Sequence, residues 1–233
     1  MRMRHKPNLE KRMKNCAEVN IISPEDYKGG WLKEHKGFSS LFLELGCGKG
    51  SFTAGLAEAE PESLIVAIEK VPDAMVMAME KIVNGAIENV RFIDGDAARL
   101  SDIFAENEVN RIYINFCDPW PKSRDAKLRL TAPGFLRSYA SVLPLGGEIR
   151  FKTDNLPLFE WSLIQLQEEG WELKDVTNDK HSHILTDYEA KFLAQGVKIN
   201  GLTAVKTEKT KTMAAGVPER LRNASLSDAR GNQ

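Results

Sequence analysis

The sequence predicts an α/β fold: a seven-stranded, mostly parallel sheet covered by helices on both faces, with its last strand antiparallel. Three observations predict it. Short apolar runs alternate with segments of helical period between residues 41 and 206, and strand–helix alternation builds a parallel sheet. The first two runs, Leu41–Leu45 and Leu64–Ile68, are apolar almost throughout, as strands buried on both faces are. Only a short helical stretch separates the last two strands, too little chain for a parallel crossover, so the final strand enters antiparallel.

Each element follows from its residues. Leu41–Leu45 reads as the first buried strand; it ends in glycines and runs into a helix over Ser51–Glu60. Leu64–Ile68 is the second strand. A helix over 73–86 carries Met75, Val76, Met79, Ile82 and Val83 on one stripe. Asn89–Asp94 and Arg111–Phe116 are the third and fourth strands. Thr131–Val142 is helical and stops before Pro144 and the Gly146-Gly147 pair. Glu148–Lys152 is the fifth strand, and Leu158–Glu169 a helix that Gly170 ends. Trp171–Val176 and Leu202–Lys206 are the last two strands, with a short helix from about Tyr188 to Leu193 between them.

The chain has 233 residues, 42% hydrophobic and 28% charged, enough for one large domain with its own core. Residues 1–37 are expected to form a basic N-terminal arm and lead-in, with 1–20 the arm itself. Residues 38–210 are the α/β domain, and 211–233 a disordered tail. No apolar run approaches the 18 or so residues that would span a membrane. Cys16, Cys47 and Cys117 form no CxxC pair, which argues against a disulfide framework or zinc knuckle and fits a reducing cytoplasm.

A net charge of −1 hides a segregation. Residues 1–14, 122–137 and 198–222 together hold 17 of the 32 Lys and Arg but only 4 of the 33 Asp and Glu. A basic face on an acidic body suits a phosphate backbone.

The first strand ends in Glu44-Leu45-Gly46-Cys47-Gly48-Lys49-Gly50. In open α/β sheets, ligands bind past the carboxyl ends of the strands, beside this first turn. A dinucleotide fingerprint needs G-x-G-x-x-G. Here the third glycine falls one residue early, and Ser51 stands where that fingerprint expects it. Glu69 ends the second strand, where an acid accepts from two ribose hydroxyls. Asp96, next to Ala97, follows the third and is placed for an adenine amine. Glu44 lies under the loop, placed to balance an ammonium or sulfonium charge. Three carboxylates without a phosphate-binding lysine suit a cationic nucleoside such as S-adenosylmethionine, not a pyrophosphate.

The fourth strand runs into Asp118-Pro119-Trp120-Pro121-Lys122. Two prolines stiffen the turn. Trp120 offers a face for a base to stack on, and Asp118 an acceptor for base amino groups. If the sheet order reverses there, this turn lies beside the first strand and faces the transferable group.

Glu44–Gly50, Glu69, Asp96, Asp118–Lys122, Arg150–Asp154 and Thr186-Asp187-Tyr188-Glu189 occur in an order that resembles the bacterial tRNA (guanine-N7)-methyltransferase family. The resemblance covers roughly residues 38–206, and the Asp-Pro-Trp-Pro-Lys turn is its most specific part. It implies a Rossmann-like, seven-stranded class I methyltransferase domain with S-adenosylmethionine as donor. It also implies tRNA as partner, methylated at N7 of the variable-loop guanosine, position 46. By that likeness Glu44, Gly46, Gly48, Gly50, Glu69, Asp96, Ala97 and Asp118 bind the cofactor, and Asp118 is also the catalytic residue. Lys122, Asp154, Thr186, Asp187, Tyr188 and Glu189 would contact substrate, and Arg124, Lys127 and Arg129 the RNA.

Other readings stay open on the sequence alone. One is a methyltransferase acting on another RNA, DNA or a protein amine; another is a non-catalytic RNA-binding relative. A nicotinamide dehydrogenase is disfavoured by the glycine spacing. His181-x-His183 lacks a third ligand at metal spacing, so no metal is expected. Cys117 adjoins no histidine in sequence, and a nucleophilic role is not expected. An alternative task for Asp154 is to cap the helix near Pro157. The chain is expected to be a monomer or a homodimer.

Overall fold

The computed structural model describes residues 7–180, 183–193 and 195–212. Its sheet contains β1 (Ser40–Leu45), β2 (Ser63–Glu69), β3 (Val90–Asp94), β4 (Arg111–Asn115), β5 (Glu148–Thr153), β6 (Glu172–Thr177) and β7 (Asn200–Val205) in the order β3-β2-β1-β4-β5-β7-β6. β1 to β5 run parallel, and β7 enters antiparallel between β5 and β6. Strand order reverses between β1 and β4, so the crevice expected at such a switch point lies above this pair.

The helices in chain order are α1 (Leu9–Asn15), α2 (Trp31–Glu34), α3 (Ser51–Ala59), α4 (Pro72–Asn84), α5 (Leu100–Ile103), α6 (Pro133–Val142), α7 (Leu156–Glu168) and α8 (Asp187–Leu193). Proline in the first turn starts α4, α6 and α7, where its missing N–H costs nothing. The sheet divides two cores. Leu41, Leu43, Leu45, Leu64, Ile112 and Phe151 face α6 and α7 with Trp31 and Phe104. Phe42, Ile65, Ala67, Phe92 and Tyr113 face α3 and α4, where Met75, Met79 and Ile82 complete the layer.

The N-terminal stretch differs from the expected arm. From residue 9 it is folded onto the domain. Arg12 of α1 grips the Glu80 carboxylate of α4 with two N–H groups, both at 2.6 Å. Cys16 and Val19 are buried, and Asn20 bridges Phe92 at the β3 edge. Trp31 is wholly buried; its Nε1 donates to the Ile103 carbonyl, and the Glu108 carboxylate accepts from the backbone of Gly29, Trp31 and Ala105. Isolated apolar residues carry this packing, so no periodicity announced it. Residues 1–6 and 213–233, which include Arg2, Arg4, Lys6, Arg220 and Arg222 of the basic segments, lie outside the described residues. The last described stretch packs: Thr210 donates to the Gly170 carbonyl, and the Lys211 N–H to the Glu169 carbonyl.

Candidate active site

Parallel strands end on one edge. That edge therefore carries the glycine loop after β1, Glu69 at the end of β2, Asp96 after β3, Asp118 after β4 and Asp154 after β5.

The glycine loop is held by its neighbours. Gly46, Gly48 and Gly50 have φ of 77, 56 and 77°. A side-chain carbon at Gly46 or Gly48 would meet nothing within 4 Å, so both open outward. At Gly50 it would lie 2.6 Å from the Ala78 Cβ, so this glycine lets α3 begin against α4. The Glu69 carboxylate accepts from Gly48 N–H and Val71 N–H, both at 2.9 Å, and stakes the loop to the end of β2. Asp96 accepts from the Ala98 N–H at 2.9 Å and caps the turn that begins with buried Ala97.

Glu44 is 2% exposed, and Thr53 Oγ1 donates to it at 2.6 Å. Burial raises its carboxyl to about 7, aided by the Glu69 charge and opposed by Thr53 and by Lys152. The Asn115 amide lies close to Glu44 but outside hydrogen-bond geometry, and both of its polar atoms are buried without a partner. Burial also pushes the Cys47 thiol up, which leaves Cys47 a small filler in the loop.

After β4 the chain turns tightly, with Phe116 at φ 52° and Trp120 at φ 41°, a conformation non-glycine residues seldom hold unless their surroundings impose it. At Trp120, Arg129 holds it in place. Its guanidinium donates to the Pro119 carbonyl at 3.0 Å and to the Trp120 carbonyl at 2.9 and 3.3 Å, and it stacks over the Trp161 ring at 4.4 Å. Lys70 Nζ sits 6.0 Å from the Trp120 ring. Asp118 stands exposed on the turn. Burial and the Asp118 charge push the Cys117 thiol up to about 12, so it stays protonated.

Thr186, Asp187, Tyr188 and Glu189 each make a separate attachment. Thr186 Oγ1 accepts from the Glu189 N–H at 2.9 Å, and Glu189 Oε2 reaches back to the Thr186 N–H at 3.4 Å, a capping box that starts α8. Asp187 Oδ1 accepts from Ser51 Oγ at 2.6 Å, and Lys81 donates to the same Ser51 oxygen. The Tyr188 ring lies over Phe116 (centroids 6.4 Å apart, planes 19° apart) yet is 59% exposed. Glu189 is wholly buried and pairs with Lys152 Nζ at 2.7 Å.

The expected RNA contacts also separate. Lys122, Arg124 and Lys127 are exposed, and among the described residues Arg124 has only a loose contact with Asp125 at 3.8 Å. Arg129 is committed to the turn. Asp154 does not cap α7; Asn155 does, accepting from the Leu158 N–H at 2.8 Å. The Asp154 carboxylate is exposed and makes no hydrogen bond or ion pair among the described residues. His181 lies outside the described residues, and no His, Cys, Asp and Glu cluster among the described residues could hold a metal ion. No helix among them is long and apolar enough to cross a membrane.

Sequence reasoning missed Ser51, Thr53, Asn115 and Lys152 as site residues. None left a clear signal: Lys152 alternates with Glu148 and Arg150 along β5, and only its burial sets it apart.

A family model described as putative methyltransferase matches residues 39–202. The tRNA (guanine-N(7)-)-methyltransferase of an Exiguobacterium species is 42% identical over 210 residues, 88% of this chain and 98% of its own. That of Bacillus subtilis is 41% identical, covering 85% of this chain and 96% of its own. The chain belongs to the tRNA (guanine-N7)-methyltransferase family. Solved structures share the family's fold at low identity. The 16S rRNA methyltransferase KamB aligns with a TM-score of 0.61 at 16% identity, over 77% of this chain and 94% of that one. An S-adenosylmethionine-dependent methyltransferase from Aquifex aeolicus aligns at 0.53 and 15%, over 87% of this chain and 100% of that one.

The residues present fit the methyl donor of this methyltransferase family. Two outward-facing glycines leave a cradle open, an unpartnered buried amide waits at Asn115, and Glu44 and Glu69 supply negative charge.

Proposed function

We propose that this methyltransferase moves the methyl group of S-adenosylmethionine to N7 of the guanosine at position 46 in the tRNA variable loop. The observation that carries this reading is the pair of carboxylates left unpartnered among the described residues, Asp118 and Asp154, on the edge whose other acids line the glycine loop. When bound, the donor supplies an electrophilic methyl on a positively charged sulfur.

The chain's own residues then have distinct tasks. Glu69 and Asp96 keep free lone pairs beyond their backbone bonds, suited to ribose hydroxyls and an adenine amine. Glu44, its carboxyl raised to about 7, is partly protonated near neutral pH and ionises more fully when a cation faces it. Guanine N7 carries a lone pair and no proton, so no general base is needed, and positioning supplies most of the acceleration. Methylation leaves the purine cationic, and the fixed Asp118 carboxylate favours that charge as it develops. Asp154 suits the guanine N1–H and N2 amine, a donor pair adenine lacks, which gives base choice a physical source. Tyr188 offers an exposed ring to the base. Lys122, Arg124 and Lys127 are free to meet phosphates.

Transfer of labelled methyl to two tRNA transcripts, identical except for guanosine or adenosine at the variable-loop position, tests the reading. Label only in the guanosine transcript, cleavable by chemistry specific for N7-methylguanosine, is the expected outcome. Equal label in both moves the site elsewhere, and label in neither refutes the assignment.

A further inference from the structure

Lys152 is 7% exposed inside β5, and its Nζ meets Glu189 Oε2 at 2.7 Å. Glu189 shows no exposure, and its other carboxylate oxygen is buried without a partner. A buried ion pair is a poor way to gain stability, because two charges lose their water; its better-attested use is to impose one arrangement on the elements it joins. The element joined here is α8, which at seven residues is too short to hold its own shape. Lys152 also lines a groove of about 320 Å³ along its sheet face, with Phe52, Asn115, Lys180 and Ile184 among others.

Lys152 is also placed between the two halves of the site. The β4–β5 register sets it beside Asn115, on the sheet face that carries Glu44. Its ammonium lies 5.1 Å from the Phe52 ring of α3, the helix that the glycine loop starts. Asp187 and Tyr188 tie the same α8 to Ser51 and to Phe116, but both ties are at the surface or open to it. Among the described residues, the buried hydrogen-bonded tie runs through Lys152.

We infer that Lys152 is a positioning residue for the substrate: by seating Glu189 it fixes α8, and so holds the Tyr188 ring over Phe116 beside Asp118, where the base must lie. Glu189 is then an anchor rather than a base contact. The inference rests on the proposed tRNA reaction for its consequence, though not for the seating itself.

Three variants test it: Lys152→Met, Lys152→Arg and Lys152→Met with Glu189→Gln. Amide exchange of the segment 183–193 reads the seating without any substrate. It should quicken about tenfold in Lys152→Met, with the β1 and β4 amides unchanged. KM for tRNA should rise about tenfold, while the dissociation constant for S-adenosylhomocysteine moves by less than about threefold. Lys152→Arg should restore KM to within about threefold, since it keeps the pair. The double variant removes the stranded charge, so it should regain the wild-type melting temperature while keeping the KM defect. A purely structural role would restore both together, and that result overturns the inference. So does unchanged exchange in 183–193, or a loss of S-adenosylhomocysteine binding equal to the loss for tRNA. Should Lys152→Met not fold, the double and Arg variants still separate a positioning role from a structural one. If the wild-type protein methylates no tRNA, the proposed reaction fails while the exchange result still decides the seating.

Discussion

Arg129 holds the carbonyl oxygen of Trp120 with two of its N–H groups, at 2.9 and 3.3 Å. This contact closes the turn that presents Asp118, and it separates Arg129 from the exposed bases before it in sequence. Arg124→Ala and Lys127→Ala are expected to raise KM for tRNA. Each should flatten the plot of log affinity against log salt by roughly one unit for every phosphate that is no longer neutralised. Arg129→Ala should leave that slope unchanged and lower kcat about tenfold or more, because the turn relaxes and the carboxylate drifts. Filter binding over a salt series, beside steady-state rates, reads both. A flattened slope for Arg129→Ala would return it to the RNA surface.

Asp118→Ala should lower kcat about a hundredfold, within the range found when one preorganised electrostatic group is removed. The dissociation constant for S-adenosylmethionine should weaken far less. Asp118→Asn keeps the acceptor but removes the charge. An Asn variant near wild-type rate would show that hydrogen bonding to the base matters and charge does not.

The proposed place of Glu44 beside the donor predicts pH-dependent donor binding. Its carboxyl is raised from 4.5 to about 7 in the folded protein. Between those values the folded state holds a proton that the unfolded state has released, so stability falls as pH rises through the window and levels off above it. The full shift corresponds to about 3 kcal/mol, an upper figure. A cationic donor prefers the ionised carboxylate. Its affinity should therefore rise from about pH 5.5 to 7 and plateau, with proton release on binding below about pH 7. Calorimetry in buffers of different ionisation enthalpy measures the proton. Glu44→Gln should abolish both the release and the pH trend; a persistent trend would place the titrating group elsewhere.

Gly50→Ala should cost about 2–4 kcal/mol in urea unfolding, from the left-handed backbone and the clash with Ala78 together. Gly48→Ala, with open space around it, should cost about 1–2 kcal/mol, from the backbone alone. Equal costs for the two would mean that α4 yields to the added methyl.

Much of the site was legible because its strands are buried on both faces. β1, β2 and β4 carry short apolar runs, and a run of that kind has few alternatives to a central parallel strand, whereas β5 alternates charged and apolar residues. Their order in the chain, with glycines and acids at their carboxyl ends, was enough to place Glu44, Glu69, Asp96 and Asp118 on one edge. What each residue of 186–189 touches was not legible. Asp187 meets Ser51 across 136 positions, and Glu189 meets Lys152 across 37. Arg12 and Glu80, 68 positions apart, fold back a segment that reads as a basic arm. Even the capping box of α8 is local in sequence, yet the family resemblance pointed to Thr186–Glu189 only as substrate contacts and left these internal bonds unannounced.

The sequence by itself determined the strand pattern, the antiparallel last strand, the glycine loop and the acids that follow the strands. Periodicity and turn chemistry act over a few residues, and a linear reading captures them. Only the tertiary structure decided which charges are free and which are spent. Arg129, Asp187 and Glu189 are internal fasteners, while Arg124, Lys127, Asp118 and Asp154 remain available to a ligand. A charged side chain carries the same letter in either role. Burial and the partner it meets across the fold settle the difference.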